Sequence, residues 1–316
     1  MKRLFLFLSC VWQLTLIAQA QQQLKFSHFD QWITREITES QVIGGNTTTL
    51  YEIGPTGRWD GRRAFTNQGG SPWANSNILA KVAGIYKTNV TVYPETRDNG
   101  KCVKMVSHIV GVKVLGIVNV HVLAAGSIYV GKMMEPITSS SNPYAYLDYG
   151  IPFTQKPKAV QFDYKVQLSG KPDRIRQTGF SPVKTIAGMD TPGLVCLLQK
   201  RWEDEKGNIF ANRIGTVIHR FNKNTDWVND AQFEIHYGDI THEPFYKDYM
   251  KLQAGGEEQK YALNSKGKMV KINEVAWGSP DDTPTHLCLQ FASSYGTAFV
   301  GAVGTTFWVD SVKLIY

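Results

Sequence analysis

Residues 160–168 alternate apolar and polar side chains without a break. Val160, Phe162, Tyr164, Val166 and Leu168 interleave with Gln161, Asp163, Lys165 and Gln167. A period of two sends the first set to one face of an extended strand and the second set to the other. The pattern recurs along the chain. Val103, Met105, Ser107 and Ile109 alternate with Lys104, Val106 and His108, and Phe233, Ile235 and Tyr237 flank Glu234 and His236. Leu287, Leu289 and Phe291 alternate with Cys288 and Gln290, and Phe307, Val309 and Ser311 with Trp308 and Asp310. A β-branched run from Val112 to Val122 is interrupted by Gly116, which predicts a bend or bulge. Between the runs lie turn clusters such as Asp98-Asn99-Gly100, Ser169-Gly170-Lys171-Pro172 and Gly278-Ser279-Pro280. Short strands punctuated in this way predict an all-β chain, a sandwich or barrel with little helix. The one helical candidate is a short crossover at 244–252, and residues 254–284 read as a polar insertion.

Residues 1–20 read as an export segment. Lys2 and Arg3 are followed by a mostly apolar stretch, and Ala18-Gln19-Ala20 fits a small-x-small cleavage site before Gln21. The apolar run falls short of the ~20 residues that a membrane-spanning helix needs. Lipidation at Cys10 is disfavoured, because too few residues precede it. The expected mature chain is a single domain, 21–316, exported to a periplasm, an outer-membrane surface or the medium, and monomeric. The formal charge of +7 comes from scattered residues, with Arg62-Arg63 beside aromatics the longest basic run, which argues against a nucleic-acid partner. The chain carries no Gly-rich phosphate loop, so no nucleotide is expected. Of four cysteines, Cys102, Cys196 and Cys288 lie beyond the export segment, and an odd number at wide spacing is no disulfide framework. Cys196 and Cys288 read as buried thiols, or as a pair if their strands are neighbours. No Cys or His pair has zinc-ligand spacing.

Several segments taken together resemble one family: Ser71-Pro72-Trp73-Ala74-Asn75-Ser76-Asn77, Thr91-Val92-Tyr93-Pro94-Glu95-Thr96-Arg97, Ala125-Gly126-Ser127-Ile128-Tyr129-Val130-Gly131, Gly150-Ile151-Pro152-Phe153 and Ser293-Ser294-Tyr295-Gly296. Their order is similar to that in the putative carbohydrate metabolism domain family of Bacteroidetes. The resemblance covers most of residues 25–316. It implies a secreted or envelope protein with a jelly-roll β-sandwich of two antiparallel sheets, likened to carbohydrate-binding modules and to jelly-roll glycoside hydrolases. It carries no catalytic residues with it. The last strand, with Val309-Asp310 followed by Val312 and Leu314, resembles the closing strand of secreted carbohydrate-binding jelly rolls, whose acidic residue often helps hold calcium. A structural calcium is therefore the expected cofactor, with Asp310 and Asp30 as ligands through hard carboxylate oxygens.

A polysaccharide or oligosaccharide is the expected partner. Sugars offer apolar C–H faces to aromatic rings and hydroxyls to planar polar groups. The aromatic candidates lie in turn-rich stretches, where function concentrates: Trp59 and Trp73 around Arg62 and Arg63, and Tyr144 and Tyr146 near Asp148. A second candidate surface is a polar sheet face carrying Gln161, Asp163, Lys165, Gln167, Glu234, His236 and Gln290. Hydrolysis would need two carboxylates roughly 5–9.5 Å apart. The laminarinase-type Glu-x-Asp-x-Glu strand is absent and Glu203-Asp204-Glu205 reads as a charged turn, which leaves Asp163 with Glu234 as a cross-strand pair, and Glu95 and Glu52 as single options. Glycan binding ranks first among the expected functions. Glycoside hydrolysis and a structural or adhesive role without a sugar site are the alternatives.

Overall fold

The computed structural model describes residues 20–114, 118–139, 141–179 and 181–316, and the side chains of 112–119 are left out of the description. All but Ala20 of the expected export segment, 1–20, and the expected bend or bulge at Gly116 lie outside the described residues. The remainder is an all-β sandwich. Its first sheet, the front sheet, runs in the order Thr225–Glu234, Ala159–Gln167, Thr306–Ile315, Gly100–Val106, Val92–Arg97, with Gln21–Gln23 also paired to Thr306–Ile315. All of its pairings are antiparallel.

A ten-stranded sheet packs behind it. Parity explains the core between them. Val160, Phe162 and Val166 of the front sheet face Leu194, Cys196 and Leu198 of Gly193–Glu203 and Leu287, Leu289 and Phe291 of His286–Ala292. The last strand would lose this parity at Ser311 but for a bulge. Ser311 takes a φ of +52°, its N–H donates to Asp310 Oδ1 at 2.7 Å, and Val312 and Leu314 return to the core.

The pairing departs from two purely antiparallel sheets. Three pairs are parallel: Ile209–Arg220 with Met269–Trp277, Leu147–Tyr149 with Tyr261–Leu263, and Trp32–Thr38 with Gly57–Trp59. His286–Ala292 also pairs with both Gly193–Glu203 and Ser127–Met133, so the circuit of the large sheet closes on itself. The closed part encloses a second cluster that includes Tyr129, Tyr149, Leu197, Ala211, Ile272 and Cys288. Strands of the expected polar insertion complete that circuit, because Ala262 and Ile272 turn inward while their neighbours face solvent. Gly126 marks a close approach, where a Cβ would stand 2.5 Å from the Thr91 carbonyl oxygen.

Other expectations are corrected locally. The 244–252 helix is only a 3-10 turn, Asp248–Met250. Cys196 and Cys288 occupy paired strands but are offset by one residue, Cys196 opposite Leu289 and Cys288 opposite Leu197, so their thiols point to opposite faces and both remain free. Truncating the central side chain Leu289, which is fully buried, should cost about 2–5 kcal/mol. Urea unfolding of Leu289→Ala against the wild type measures this, and a loss below about 1 kcal/mol would contradict the two-sheet core.

Candidate functional site

The polar face of the front sheet is organised around one guanidinium. Arg97 Nη1 donates to Asp163 Oδ2 and to Asp310 Oδ2, each at 2.8 Å, and Nη2 donates to Asn229 Oδ1 at 2.8 Å. Its plane lies 3.9 Å over the Trp227 ring. Asp163 and Asp310 are register partners on adjacent strands, and their Oδ2 atoms lie no farther apart than twice the distance each keeps from Nη1. One cation serves two desolvated acids. Burial, with the neighbouring Asp163 charge, pushes Asp310 up to about 6 against the pull of Ser311 N–H and Arg97. Beside this clamp, Gln161 donates to Asp230 and accepts from Gln232. Trp308 Nε1 donates to Glu95, which also pairs with Lys104, so Glu95 is not a free carboxylate.

These contacts separate the residues that the sequence groups together. Glu234 stands opposite Ala159, four residues along from Asp163, or about 13 Å at the rise of a strand. They do not form a glycosidase pair. His236 pairs into the large sheet opposite Thr216 and stacks on Phe245, and Gln290 lies on the far side of the large sheet. The two expected calcium ligands are also engaged. Asp310 spends one oxygen on Ser311 and the other on Arg97, while Asp30 accepts from the Lys101 N–H at 2.8 Å. Among the described residues no group of three or more His, Cys, Asp or Glu side chains is placed to hold a metal.

The aromatic candidates fare differently from one another. Trp73 is 1% exposed, packs edge-on against Phe29 and donates to Ser27, so it is a core residue. Trp59 donates to the Arg63 carbonyl oxygen and packs against Phe65 with the Arg63 guanidinium over its ring. Arg62 donates to the Thr38 carbonyl oxygen and lies over Tyr86. Tyr146 bonds Thr138 through its hydroxyl, and Asp148 accepts from the Leu263 N–H. Glu52, another single option, is buried on Arg35 and Asn75. Its pKa rises to about 8, burial and the Glu135 charge outweighing the pull of Arg35. Of these aromatic candidates, Tyr144 lines a cavity.

That cavity is a cleft of about 600 Å³ on the far face of the large sheet. Ser127, Val195, Ile218 and Gln290 lie on its floor, and the hairpins Ile78–Val82/Ile85–Asn89 and His108–Val114/Val118–Ala124 contribute walls. At one end Arg220 lies between two tyrosine rings, 3.7 Å from the centre of Tyr249 and 3.6 Å from that of Tyr295. Nearby, Lys260 stands 4.7 Å from the Tyr144 ring and 5.3 Å from that of Tyr149. Burial lowers Lys260 to about 8, although the Glu258 charge opposes the fall. Tyr144 donates to the Gly296 carbonyl oxygen at 3.0 Å. Ser127 and Tyr295, which come from two of the family-like segments, both line this cleft.

Sequence reasoning passed over an exposed platform. Trp202 and Phe210 are cross-strand partners at the end of the Gly193–Glu203/Ile209–Arg220 hairpin, stacked at 5.8 Å with planes 23° apart. Trp202 is 44% exposed, and Lys200 beside it pairs with Asp282 at 3.0 Å. The signal lay in the order Lys200-Arg201-Trp202-Glu203. Alternation there puts a tryptophan on the same outward side as a lysine, just before a charged turn.

Residues 51–189 match the family model described as "Putative carbohydrate metabolism domain". The expected resemblance is therefore found over that stretch. Among solved structures the chain is similar to a crystal structure described as that of a "putative glycoside hydrolase" from Bacteroides thetaiotaomicron VPI-5482. The identity is 18% and the TM-score 0.42, over 72% of this chain and 57% of that one. The chain thus spans little more than half the length of that protein. No curated protein matches.

Asp310 gives a testable pH dependence. Its folded-state pKa of about 6 lies above the ordinary 3.8, so between these values the folded chain holds a proton that the unfolded chain has released. Its contribution to stability is present below pH 3.8 and is lost as the pH rises through 6. Asp310→Asn keeps an acceptor for Ser311 and cannot titrate. Wild type should lose stability relative to this variant between pH 4 and 6.5 in urea titrations, and a gap that stays constant with pH would refute the assignment.

Proposed function

We propose that the protein is an exported, non-catalytic glycan-binding protein that presents Trp202, stacked on Phe210, as its sugar platform. The observation that carries this reading is the 44% exposure of Trp202 in a flat, two-ring surface. An indole face offers a large apolar plane to the C–H face of a pyranose at little conformational cost. The Lys200–Asp282 pair at its side supplies a donor and an acceptor for hydroxyls. The carbohydrate-metabolism description of the family matched by residues 51–189 agrees in substrate class.

Binding is favoured over hydrolysis by the state of the carboxylates. Asp163 and Asp310 approach the spacing of a retaining pair, but both are bonded to the same guanidinium nitrogen. A nucleophile needs a free lone pair and a general acid needs a proton aimed at the leaving group. Arg97, with the Trp227 ring stacked on it, occupies the Oδ2 atom of each acid.

Native gels cast with a panel of neutral polysaccharides test the proposal. At least one should retard the protein, and Trp202→Ala should weaken that interaction tenfold or more, about 1.4 kcal/mol. Trp202 is a surface residue, so the variant should keep the wild-type circular dichroism. Free migration on every polysaccharide, or retardation undiminished in Trp202→Ala, would refute the reading.

A further inference from the structure

The cleft has a chemistry unlike that of the platform. Ile78, Val110, Val122, Val195, Ile218 and Phe299 contribute aliphatic and aromatic wall. Against those six side chains a hydroxyl would lose hydration without gaining a partner, which is unfavourable by a few kcal/mol per group. An aliphatic chain would gain from the same walls in proportion to the area it buries.

The end of the cleft is cationic. Arg220 is held through both faces of its guanidinium plane by Tyr249 and Tyr295, an arrangement that leaves the N–H edge open. Among the described residues no acceptor bonds that edge and no carboxylate pairs with it. Lys260 likewise meets only the rings of Tyr144 and Tyr149. Glu258 is the one carboxylate among the lining residues, against Arg220, Lys260 and a Lys87 that is already paired with Glu39. An open guanidinium edge is a fork that matches a carboxylate in bidentate geometry. The volume is that of a small-molecule site, ordinarily about 300–1,000 Å³.

We propose that the cleft binds a single-chain carboxylate amphiphile, its aliphatic chain along the apolar walls and its carboxylate on the edge of Arg220 beside Lys260. This site is separate from the Trp202 platform and does not depend on the glycan reading.

Isothermal titration of the full chain with decanoate, below the concentration at which it micellises, tests the assignment. Decan-1-ol and glucuronate separate the contribution of the chain from that of the acid. Decanoate should bind once per chain, decan-1-ol at least tenfold more weakly, and glucuronate weakest of the three. Arg220→Gln should weaken decanoate at least tenfold and leave decan-1-ol unchanged. Ala292 lines the cleft opposite Ser127 on the adjacent strand; Ala292→Phe, which fills the floor there, should weaken both chain ligands, and Trp202→Ala should weaken neither. Equal binding of acid and alcohol, decanoate binding that survives Arg220→Gln, glucuronate binding as tight as decanoate, or no saturable decanoate binding would each overturn the proposal. Retention on polysaccharide gels should be untouched by Arg220→Gln, so failure of one site is distinguishable from failure of the other.

Discussion

The large sheet has to bury both of its faces, and most of the architecture follows from that constraint. Residues 194–198 are Leu-Val-Cys-Leu-Leu and residues 287–289 are Leu-Cys-Leu, apolar at consecutive positions rather than at alternate ones. A strand of this kind has no solvent side. Leu194, Cys196 and Leu198 meet the front sheet. Leu197 and Cys288 would be left on the other side without cover, and closure of the strand circuit supplies it. Val195 and Gln290 lie farther along the same face, where hairpins stand over the sheet instead of packing into it. The cleft is the part of the second face that closure does not fill.

Three arginines, two of them fully buried, tie further elements together, and acids match all three. Arg35 joins the small sheet formed by Trp32–Thr38, Thr47–Ile53 and Gly57–Trp59 to Glu135 in a distant loop, with Glu52 as a second partner. Arg213 pairs with Glu274 across two parallel strands, both side chains fully buried, and reaches the carbonyl oxygens of Met250 and Lys251. Arg97 ties three strands of the front sheet together. The planar fork suits such work, because each N–H can be aimed at a separate fixed acceptor. Arg220 differs: two tyrosine rings hold it, and among the described residues no carboxylate bonds it directly, although Glu258 lies near enough for its charge to act on it. That difference is what the proposed carboxylate site rests on.

The fold class was legible because strand alternation is a local property: Val160 to Leu168 shows its buried face without any knowledge of partners. The cores of both sheets follow from it. The residues chosen for chemistry were less legible, since loops rich in Gly and Asn look alike whether they pack or bind. Trp73 sits among such residues, yet Phe29 and Ser27, more than forty positions away in sequence, claim it for the core. Nothing in the last strand foretells the bulge whose free N–H takes one oxygen of Asp310. Asp163 and Glu234 share a face by parity, but register sets them four residues apart, and register depends on bulges at 162–166 that periodicity does not show. Arg220 and Lys260 were passed over for the same reason: an arginine in Ile218-His219-Arg220 looks like any strand-end charge until Tyr249 and Tyr295 close on it.

Both proposed surfaces then have one origin. Along Gly193–Glu203 alternation runs unbroken: Lys200 and Trp202 continue the face of Leu194, Cys196 and Leu198 beyond the end of the front core, while Arg201 stays on the other face with Gln199 and Cys288. No part of the front core continues over Trp202, so its ring pairs only with Phe210 and stays open to solvent. At the other end of the same strand Val195 faces the cleft. The uncovered end of the first face is flat, wet and flanked by charge, which suits a hydroxylated ligand. The incompletely filled end of the second face is concave and largely apolar, with Arg220 and Lys260 at its limit, which suits an acid on a hydrocarbon chain. A sheet whose two faces are covered by different elements runs out of cover in two places, and the surfaces left there differ as their covers do.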